Sequence, residues 1–231
     1  MIDTTIIIPA YKPAALLKQC LDSVIAYTNL TKVEIIIVCN GSDKETADYI
    51  ISLNQPSISF IWYTEALGYP KATNIGMRLA KTPYLILLNS DAVVQPHQKH
   101  NWVERLTEPF KTNANLAITG VTCVWMWHRP FYPFAHVCLR KNVAEKLNYL
   151  DEAFSPGYGE DIDYCFRVAD AGYDMLIVAN NIPNEELRTN MSDFPLYHDG
   201  KGSFGRTGDV LQTRAYDMIY KKHILKISNY S

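Results

Sequence analysis

The sequence predicts an α/β fold with a mostly parallel central sheet and helices on both faces of the sheet. Two observations carry this prediction. Short apolar, β-branched runs alternate in the first half of the chain with segments whose apolar residues recur at helical spacing. The runs are also too uniformly apolar to leave one face in water, which is typical of parallel strands buried between helices.

The first half of the chain predicts a regular β-α-β-α alternation. Strands are expected over residues 4–8, 34–39, 57–63 and 84–88, and helices around residues 16–25, 47–51 and 75–80. Parallel strands are joined by right-handed crossovers, so their carboxyl ends meet at one edge of the sheet. Ligands of such sheets bind at this edge.

The second half predicts a looser arrangement of the same elements. Helices are expected over residues 97–110, 142–147 and 161–171, with a last one from residue 209, and strands over 116–121 and 175–178. The aromatic stretch 125–134 contains Pro130 and Pro133 and is not expected to be regular. No repeat or linker divides the chain, which we interpret as one domain, 1–231, in two halves.

Composition excludes several functional classes. The 231 residues are 48% hydrophobic, carry a net charge of -2 and contain no Lys/Arg run longer than a pair, so no nucleic-acid partner is expected. The apolar runs are far shorter than the roughly 20 residues of a membrane span, and no secretory signal opens the chain, so a cytoplasmic protein is expected. Five cysteines without a Cys-x-x-Cys pair favour neither disulfides nor zinc.

Polar or turn-forming residues follow three of the predicted strands. Each group alone is more often an ordinary turn. Together they predict a nucleotide site with a nearby cation, because Asp91 directly follows a buried strand and a carboxylate there must be paired or bound to a metal. Magnesium or manganese with a diphosphate fits such a carboxylate. The three groups are Pro9-Ala10-Tyr11, Asn40-Gly41-Ser42-Asp43 and Asn89-Ser90-Asp91.

The densest acidic cluster is Glu160, Asp161 and Asp163, between a Gly/Pro loop and a predicted helix. Helix capping is one interpretation, since acidic residues are favoured in a first helical turn. Three acids within four positions exceed what one cap requires. Their mutual repulsion raises the pKa of at least one of them, which suits a general base.

Two further features leave alternatives open. His198 lies in the glycine-rich segment 197–203, where it is either a ligand contact or simply an exposed loop histidine. The aromatic residues are either a core patch or a wall on which a sugar or lipid acceptor stacks. These residues are Trp125, Trp127, Phe131, Tyr132 and Phe134.

Taken in order, these segments resemble the family 2 inverting glycosyltransferases of the Rossmann-like GT-A fold, especially their rhamnosyltransferase-like branch. The resemblance spans roughly residues 4 to 205. The segments that carry it are Thr5-Ile-Ile-Ile-Pro-Ala-Tyr11, Val38-Cys-Asn-Gly-Ser42, Gly68-Tyr-Pro-Lys-Ala-Thr-Asn-Ile-Gly76, Leu88-Asn-Ser-Asp91, Glu160-Asp-Ile-Asp-Tyr-Cys-Phe-Arg167 and His198 with Ser203.

The resemblance implies a transfer of sugar from a nucleotide-diphosphate sugar to a hydroxyl of a glycan or lipid-linked acceptor. Asp91 and His198 would hold Mn²⁺ or Mg²⁺ at the diphosphate, and Asp161 would deprotonate the acceptor. Residues 1–91 would form the nucleotide-binding half, and 92–231 the acceptor-binding and catalytic half. Trp125, Trp127 and Glu160 would contact the acceptor. The donor nucleotide would contact Pro9, Ala10, Tyr11, Asn40, Ser42, Gly68, Lys71, Asn74, Asn89 and Ser90.

Asn40 departs from the family pattern, because an Asp normally accepts the nucleobase N–H at this position. A carboxamide still accepts through its oxygen, so UDP- or dTDP-sugars remain the expected donors.

Two other functions compete with this interpretation. A sugar nucleotidyltransferase needs a Gly-rich, basic opening loop for its triphosphate, which the sequence lacks. A catalytically silent binding module would be favoured by the loss of Asp91 or Asp161, and both are present. The C-terminal helix is either packed on the domain or an interfacial helix that associates peripherally with the inner face of a membrane.

Overall fold

A computed structural model describes residues 2–11, 13–96, 101–179, 194–198 and 208–225. Its centre is a seven-stranded sheet. The strands of this sheet are β1 (Thr4–Ala10), β2 (Val33–Asn40), β3 (Ile58–Tyr63), β4 (Tyr84–Leu88), β6 (Leu116–Gly120), β9 (His136–Arg140) and β10 (Asp174–Ile177). Two small pairs join β5 (Ala92–Val94) to β11 (Leu196–His198), and β7 (Val124–Met126) to β8 (Arg129–Phe131).

The strand order in the sheet is β10-β6-β9-β4-β1-β2-β3. Strand β9 runs antiparallel to both of its neighbours, while β4, β1, β2 and β3 are parallel, as are β10 and β6. The predicted mostly parallel sheet is therefore confirmed. The four strands predicted in the first half all form, within two residues of the expected bounds.

Helices cover both faces of the sheet because successive strand residues point to opposite sides. In β1, Ile6 and Ile8 belong to the core under α1 and α4, whereas Ile7 belongs to the core under α3 and α7. The helices are α1 (Ala14–Tyr27), α2 (Lys44–Ser52), α3 (Tyr69–Leu79), α4 (Trp102–Thr107), α5 (Pro109–Thr112), α6 (Lys141–Lys146), α7 (Glu160–Asp170) and α8 (Gly208–Ile219).

The aromatic stretch 125–134 is more regular than expected. Strands β7 and β8 form an antiparallel hairpin in which Met126 pairs with Arg129. The two turn residues, Trp127 and His128, both have positive φ angles, 48° and 62°. Such a tight turn usually carries Asn or Gly, so its sequence gave no turn signal and the expectation of irregular structure was wrong.

Two other expectations require correction. The helix expected over 97–110 is two short helices, α4 and α5, because Pro109 has no N–H to continue the first one. Residues 97–100 lie outside the described part of the chain. Strand β9 was not expected at all, although it lies between β4 and β6.

Helix α8 continues into a π-helical turn, Tyr220–Ile224, and packs on the domain. Ala215 and Ile219 of α8 are buried at 2% and 0% exposure in the core shared with α7. These contacts match the packed alternative for the C-terminal helix. In the described residues, no helix is both long and apolar enough to cross a bilayer.

A buried ionic cluster fixes this C-terminal segment to α7. Asp163, fully buried, lies 2.8 Å from Arg167, 2.7 Å from Lys222 and 2.8 Å from His223. Burial raises the pKa of the Asp163 carboxyl, but the hydrogen bond from His223 and the charges of Arg167 and Lys222 outweigh burial and hold it at about 2. The third acid of the Glu160–Asp163 cluster therefore binds the C-terminal segment.

Asp163→Asn is expected to lower the free energy of unfolding at pH 7 by about 2 to 3 kcal/mol, because a carboxylate with a depressed pKa stabilises the fold. That contribution is complete above the unfolded pKa of about 3.9 and is lost as the pH falls towards 2. Urea unfolding between pH 7 and pH 3 measures the difference. Asp170→Asn, on the same helix but half exposed, should cost less than about 1 kcal/mol. Equal effects of the two variants would contradict the role of Asp163.

Candidate active site

A cleft of about 610 Å³ opens at the carboxyl edge of the parallel strands. Its lining comes from the ends of β1, β2 and β4, from the start of α7, and from β11 and α8. Ten residues predicted to form the site line it, namely Pro9, Tyr11, Asn40, Gly68, Asn89, Ser90, Asp91, Glu160, Asp161 and His198.

The structure brings Asp91 and His198 together through a small antiparallel strand pair. His198 ends β11 opposite Ala92 of β5, the residue that follows Asp91. The His198 Nε2 atom lies 3.0 Å from Asp91 Oδ1 and 3.2 Å from Asn89 Nδ2. Burial raises the pKa of Asp91, but the hydrogen bond and charge of His198 outweigh burial, so the carboxyl stays ionised at neutral pH.

This pair fits a divalent cation. Asp91 offers a carboxylate oxygen and His198 a ring nitrogen 3.0 Å away, and both atom types bind divalent cations in proteins. In addition, the buried Asn89 Oδ1 has no hydrogen-bond partner among the described residues. The part of the chain that the structure describes contains no group of three or more His, Cys, Asp or Glu side chains that could hold a metal ion. A cation held by Asp91 and His198 would therefore complete its shell with phosphate oxygens and water.

His136 is a polar residue of this region that the sequence analysis did not single out. It lies on β9 opposite Leu88, and its ring centroid is 6.4 Å from that of His198. Burial, aided by the charge of His198, lowers the pKa of His136 to about 3, so the ring is neutral. Its Nδ1 atom is buried with no partner in the described residues. The residue was missed because β9 itself was not expected.

Glu160 and Asp161 begin α7 directly after Gly159, which has a φ of 89°. Asp161 accepts a hydrogen bond from the Ile162 N–H at 2.8 Å, and its side chain lines the cleft. Glu160 is buried, and its Oε2 has no hydrogen-bond partner in the described part of the chain. Burial raises the pKa of both carboxyls, and their mutual repulsion raises that of Glu160 further. Such a carboxyl suits proton transfer near neutral pH.

The opposite end of the cleft is formed by the first two strands. The Asn40 side-chain oxygen accepts a hydrogen bond from the Leu67 N–H, which fixes the amide at the end of β2. Gly68 has a φ of 86°, and a Cβ there would lie 2.7 Å from the Cα of Pro156. Both the positive φ and the close approach require glycine at this position.

Four predicted nucleotide contacts do not line the cleft. The Ser42 hydroxyl donates to the Ala10 carbonyl at 2.9 Å, and both residues are buried behind the cleft wall. Asn74 hydrogen-bonds through its side chain to the Leu150 backbone at 2.9 and 3.0 Å. Lys71 is exposed on α3. The structure therefore gives Ser42 and Asn74 contacts that organise the backbone.

The aromatic group divides into a buried and an exposed part. Phe131, Tyr132 and Phe134 are 8%, 5% and 4% exposed, as the core alternative predicts, and two of them, Phe131 and Phe134, also line the cleft. Trp125 is 68% exposed and does not line the cleft. Trp127 also lies outside the lining and packs on two tyrosines of the C-terminal segment.

Two cleft residues, Gln212 and Tyr216 of α8, were not anticipated. The periodicity predicted the helix but not the surface on which it packs. Ser203, part of the resemblance, lies outside the described residues.

The family model for glycosyl transferase family 2 matches residues 5–155 of this chain. Among curated proteins, the succinoglycan biosynthesis protein ExoO of Rhizobium meliloti (strain 1021) is 26% identical over 139 residues, 60% of this chain and 39% of ExoO. The uncharacterized glycosyltransferase RP339 of Rickettsia prowazekii (strain Madrid E) is 32% identical over 104 residues, 45% of this chain and 32% of RP339. The matches thus span less than half the length of these relatives.

Solved glycosyltransferase structures share the fold. The mannosyltransferase PcManGT of Pyrobaculum calidifontis, solved with GDP-Man and Mn²⁺, aligns with a TM-score of 0.60 at 19% identity over 79% of this chain and 57% of its own. GalNAc-T7, solved with UDP, GalNAc and Mn²⁺, aligns with a TM-score of 0.65 at 16% identity over 76% of this chain and 42% of its own. The fold of the chain is therefore that of the GT-A glycosyltransferases.

Proposed function

The chain belongs to glycosyl transferase family 2, and on that basis we propose that it is a metal-assisted, inverting glycosyltransferase. The donor would be a nucleotide-diphosphate sugar, with UDP- or dTDP-sugars favoured, and the acceptor a hydroxyl of a glycan or lipid-linked saccharide. One observation carries the proposal: the Asp91–His198 pair and the neighbouring carboxyls of Glu160 and Asp161 line the same cleft. One pair suits a diphosphate and its cation, and the other suits proton removal from the acceptor.

The order of the strands in the sheet supports one orientation of the donor in the cleft, with its diphosphate and its base at opposite ends. Asp91 follows β4, Pro9 and Tyr11 lie at the end of β1, and Asn40 ends β2. These strands are neighbours in the sheet, about 4.8 Å apart, so the β2 end lies about 10 Å from the Asp91 side. A diphosphate held at Asp91 would place its nucleoside over β1 and its base near Asn40.

The two sides of the cleft would then have different roles, one in binding the donor and the other in activating the acceptor. A divalent cation at Asp91 and His198 supplies Lewis-acid neutralisation of the leaving diphosphate. Asp91 and His198 would hold this cation, and Asn89 and Ser90 border the same side of the cleft. The β1 and β2 ends bind the nucleoside. These roles assign residues 1–91 to the donor and residues 92–231 to the acceptor and to catalysis.

Asp161 would act as the general base. Its carboxylate accepts the proton of the acceptor hydroxyl while the oxygen attacks the anomeric carbon and the bond to the diphosphate breaks. Attack opposite the leaving group inverts the anomeric configuration. Glu160 neighbours this base and, with its raised pKa, holds a proton at neutral pH. A neutral Glu160 avoids a second negative charge beside Asp161.

The rhamnosyltransferase-like branch remains part of this proposal, through the Leu88-Asn-Ser-Asp91 form of the metal segment. Peripheral attachment to a membrane would suit a lipid-linked acceptor, with α8 packed on α7 through Ala215 and Ile219.

Thermal unfolding in the presence of UDP, dTDP, GDP and CDP, each with Mn²⁺, Mg²⁺ or EDTA, tests the donor site. A diphosphate at 100 times its Kd stabilises the folded state by about 2.7 kcal/mol, which raises the melting temperature by several degrees. We expect a shift with UDP or dTDP that EDTA abolishes. The monophosphates serve as controls, since they lack one of the bridging phosphates.

The same experiment separates the competing functions. A shift with a diphosphate but no turnover of the matching nucleotide sugar, with or without acceptors, would favour a silent binding module. No shift with any diphosphate would contradict the proposed donor site. Greater stabilisation by a nucleoside triphosphate with a sugar 1-phosphate would favour a nucleotidyltransferase.

A further inference from the structure

Helix α8 lies outside the residues matched by the family model, yet it contributes to the wall of the cleft. Gln212 and Tyr216 of α8 line the same cleft as Asp161. They are four residues apart, so they lie on one face of the helix, and Gln212 Nε2 donates to the Tyr216 hydroxyl at 2.7 Å. No residue of this helix is among the predicted site residues.

The position of α8 relative to the proposed base is set by tight packing. Gly159 immediately precedes α7, and a Cβ at Gly159 would lie 2.9 Å from the Cβ of Ala215 and 3.1 Å from Ile219. Ala215 is the neighbour of Tyr216 in α8. The ionic cluster around Asp163 holds the following π-helical turn to α7 as well. The face that carries Tyr216 is therefore fixed beside the start of α7, where Asp161 lies.

The Tyr216 ring is also supported from outside the cleft. Trp127, at the turn of the β7–β8 hairpin, meets Tyr216 edge-on with the ring centroids 6.3 Å apart. Phe131 of β8 also lines the cleft. The lining thus includes aromatic rings, a phenol and a carboxamide. Pyranose rings present apolar C–H faces and a rim of hydroxyls, and this combination of side chains complements both.

We propose that Tyr216 and Gln212 form the subsite that binds the pyranose ring of the acceptor, with the Tyr216 ring stacking on the sugar and the Gln212 amide contacting its hydroxyls. This inference rests on the proposed function, and it adds a specificity-determining surface supplied by the C-terminal helix. The packing of α8 on α7 has a consequence for this subsite. Because the two helices are held together, Tyr216 and Gln212 keep a fixed position relative to Asp161.

The test compares Tyr216→Ala, Tyr216→Phe and Gln212→Ala with Tyr220→Ala. Tyr220 packs on Trp127 at 5.9 Å like Tyr216, but it does not line the cleft, so it is a matched control. Transfer from the donor chosen by the thermal-unfolding screen to a panel of p-nitrophenyl glycosides gives KM for the acceptor. Hydrolysis of the donor without acceptor, and stabilisation by the diphosphate with Mn²⁺, report on the donor site.

We expect Tyr216→Ala to raise the acceptor KM about tenfold or more, and Tyr216→Phe and Gln212→Ala about threefold. Donor hydrolysis and diphosphate binding should stay within twofold of wild type, and Tyr220→Ala should leave all three quantities unchanged. An unchanged acceptor KM in Tyr216→Ala and Gln212→Ala would overturn the inference. If the wild-type protein neither binds the diphosphate nor hydrolyses the nucleotide-sugar donor, that result would instead contradict the proposed function.

Discussion

Replacing Asp161 by asparagine should reduce sugar transfer by about 100- to 10,000-fold, the contribution of a positioned general base. Asparagine keeps the size of the side chain and the hydrogen bond from the Ile162 N–H, so the start of α7 should be preserved. Binding of the diphosphate with Mn²⁺ should be unchanged, because the proposed donor contacts lie at the ends of β1, β2 and β4, whereas Asp161 lies in the first turn of α7. Steady-state transfer rates and thermal unfolding with the diphosphate measure the two effects.

The pH dependence adds a second signature of Asp161. Burial raises its pKa above the ordinary value of an Asp, and only the carboxylate accepts a proton. The wild-type rate should therefore fall as the pH is lowered through that raised pKa, at a pH where exposed acids remain ionised. Asp48→Asn, an exposed acid of α2 outside the cleft, is the control and should behave as wild type. A residual rate in Asp161→Asn above a tenth of wild type would contradict its role.

Replacing Asp91 by asparagine should abolish the metal-dependent shift in melting temperature and lower transfer by about 1,000-fold, since electrostatic stabilisation of a leaving diphosphate is worth several kcal/mol. The carboxylate is the one anionic group of the Asn89–Asp91 segment that faces His198, so its loss removes the charge that attracts the cation. Titration of Mn²⁺ in the presence of the diphosphate, followed by thermal unfolding, measures the effect.

Asp91→Asn and Asp161→Asn should thus fail in different assays. The first variant should lose stabilisation by diphosphate with Mn²⁺, while the second should keep it and lose only turnover. Without any nucleotide, Asp91→Asn should melt somewhat below wild type, because the lowered pKa of the Asp91 carboxyl means that its pairing with His198 stabilises the fold, so the comparison rests on the shift that the ligand adds. Full stabilisation of Asp91→Asn by diphosphate and Mn²⁺ would show that the cation binds elsewhere.

The sequence predicted the parallel part of the fold because those strands are uniformly apolar and the helices between them are periodic. It failed at β9 and at the β7–β8 hairpin, where the decisive features are not local. Residues 136–140 form a strand because β4 and β6 lie on either side of them. The hairpin turn is made by Trp127 and His128, residues that do not normally signal such a turn.

In the candidate site, too, the residues placed by local sequence pattern were predicted, and those placed by tertiary packing were not. Asp91, Asn40 and Pro9 lie directly at strand ends, so sheet topology alone predicts that they meet. Gln212 and Tyr216 reach the cleft only through the packing of α8 on Gly159, and no spacing in the sequence encodes that contact. Asp163 appeared equivalent to Asp161 in sequence, but its helical position turns it towards Lys222 and His223.

The most direct test of the account is the anomeric configuration of a transferred sugar. An α-linked nucleotide sugar chosen by the thermal-unfolding screen is incubated with Mn²⁺ and an acceptor glycoside, and the one-bond carbon–proton coupling of the new linkage is read by NMR. We expect a β-linked product that forms only without EDTA and at least 100-fold more slowly with Asp161→Asn. An α-linked product, transfer that persists in EDTA, or transfer by Asp161→Asn at more than a tenth of the wild-type rate would contradict the proposed inverting, metal-assisted mechanism.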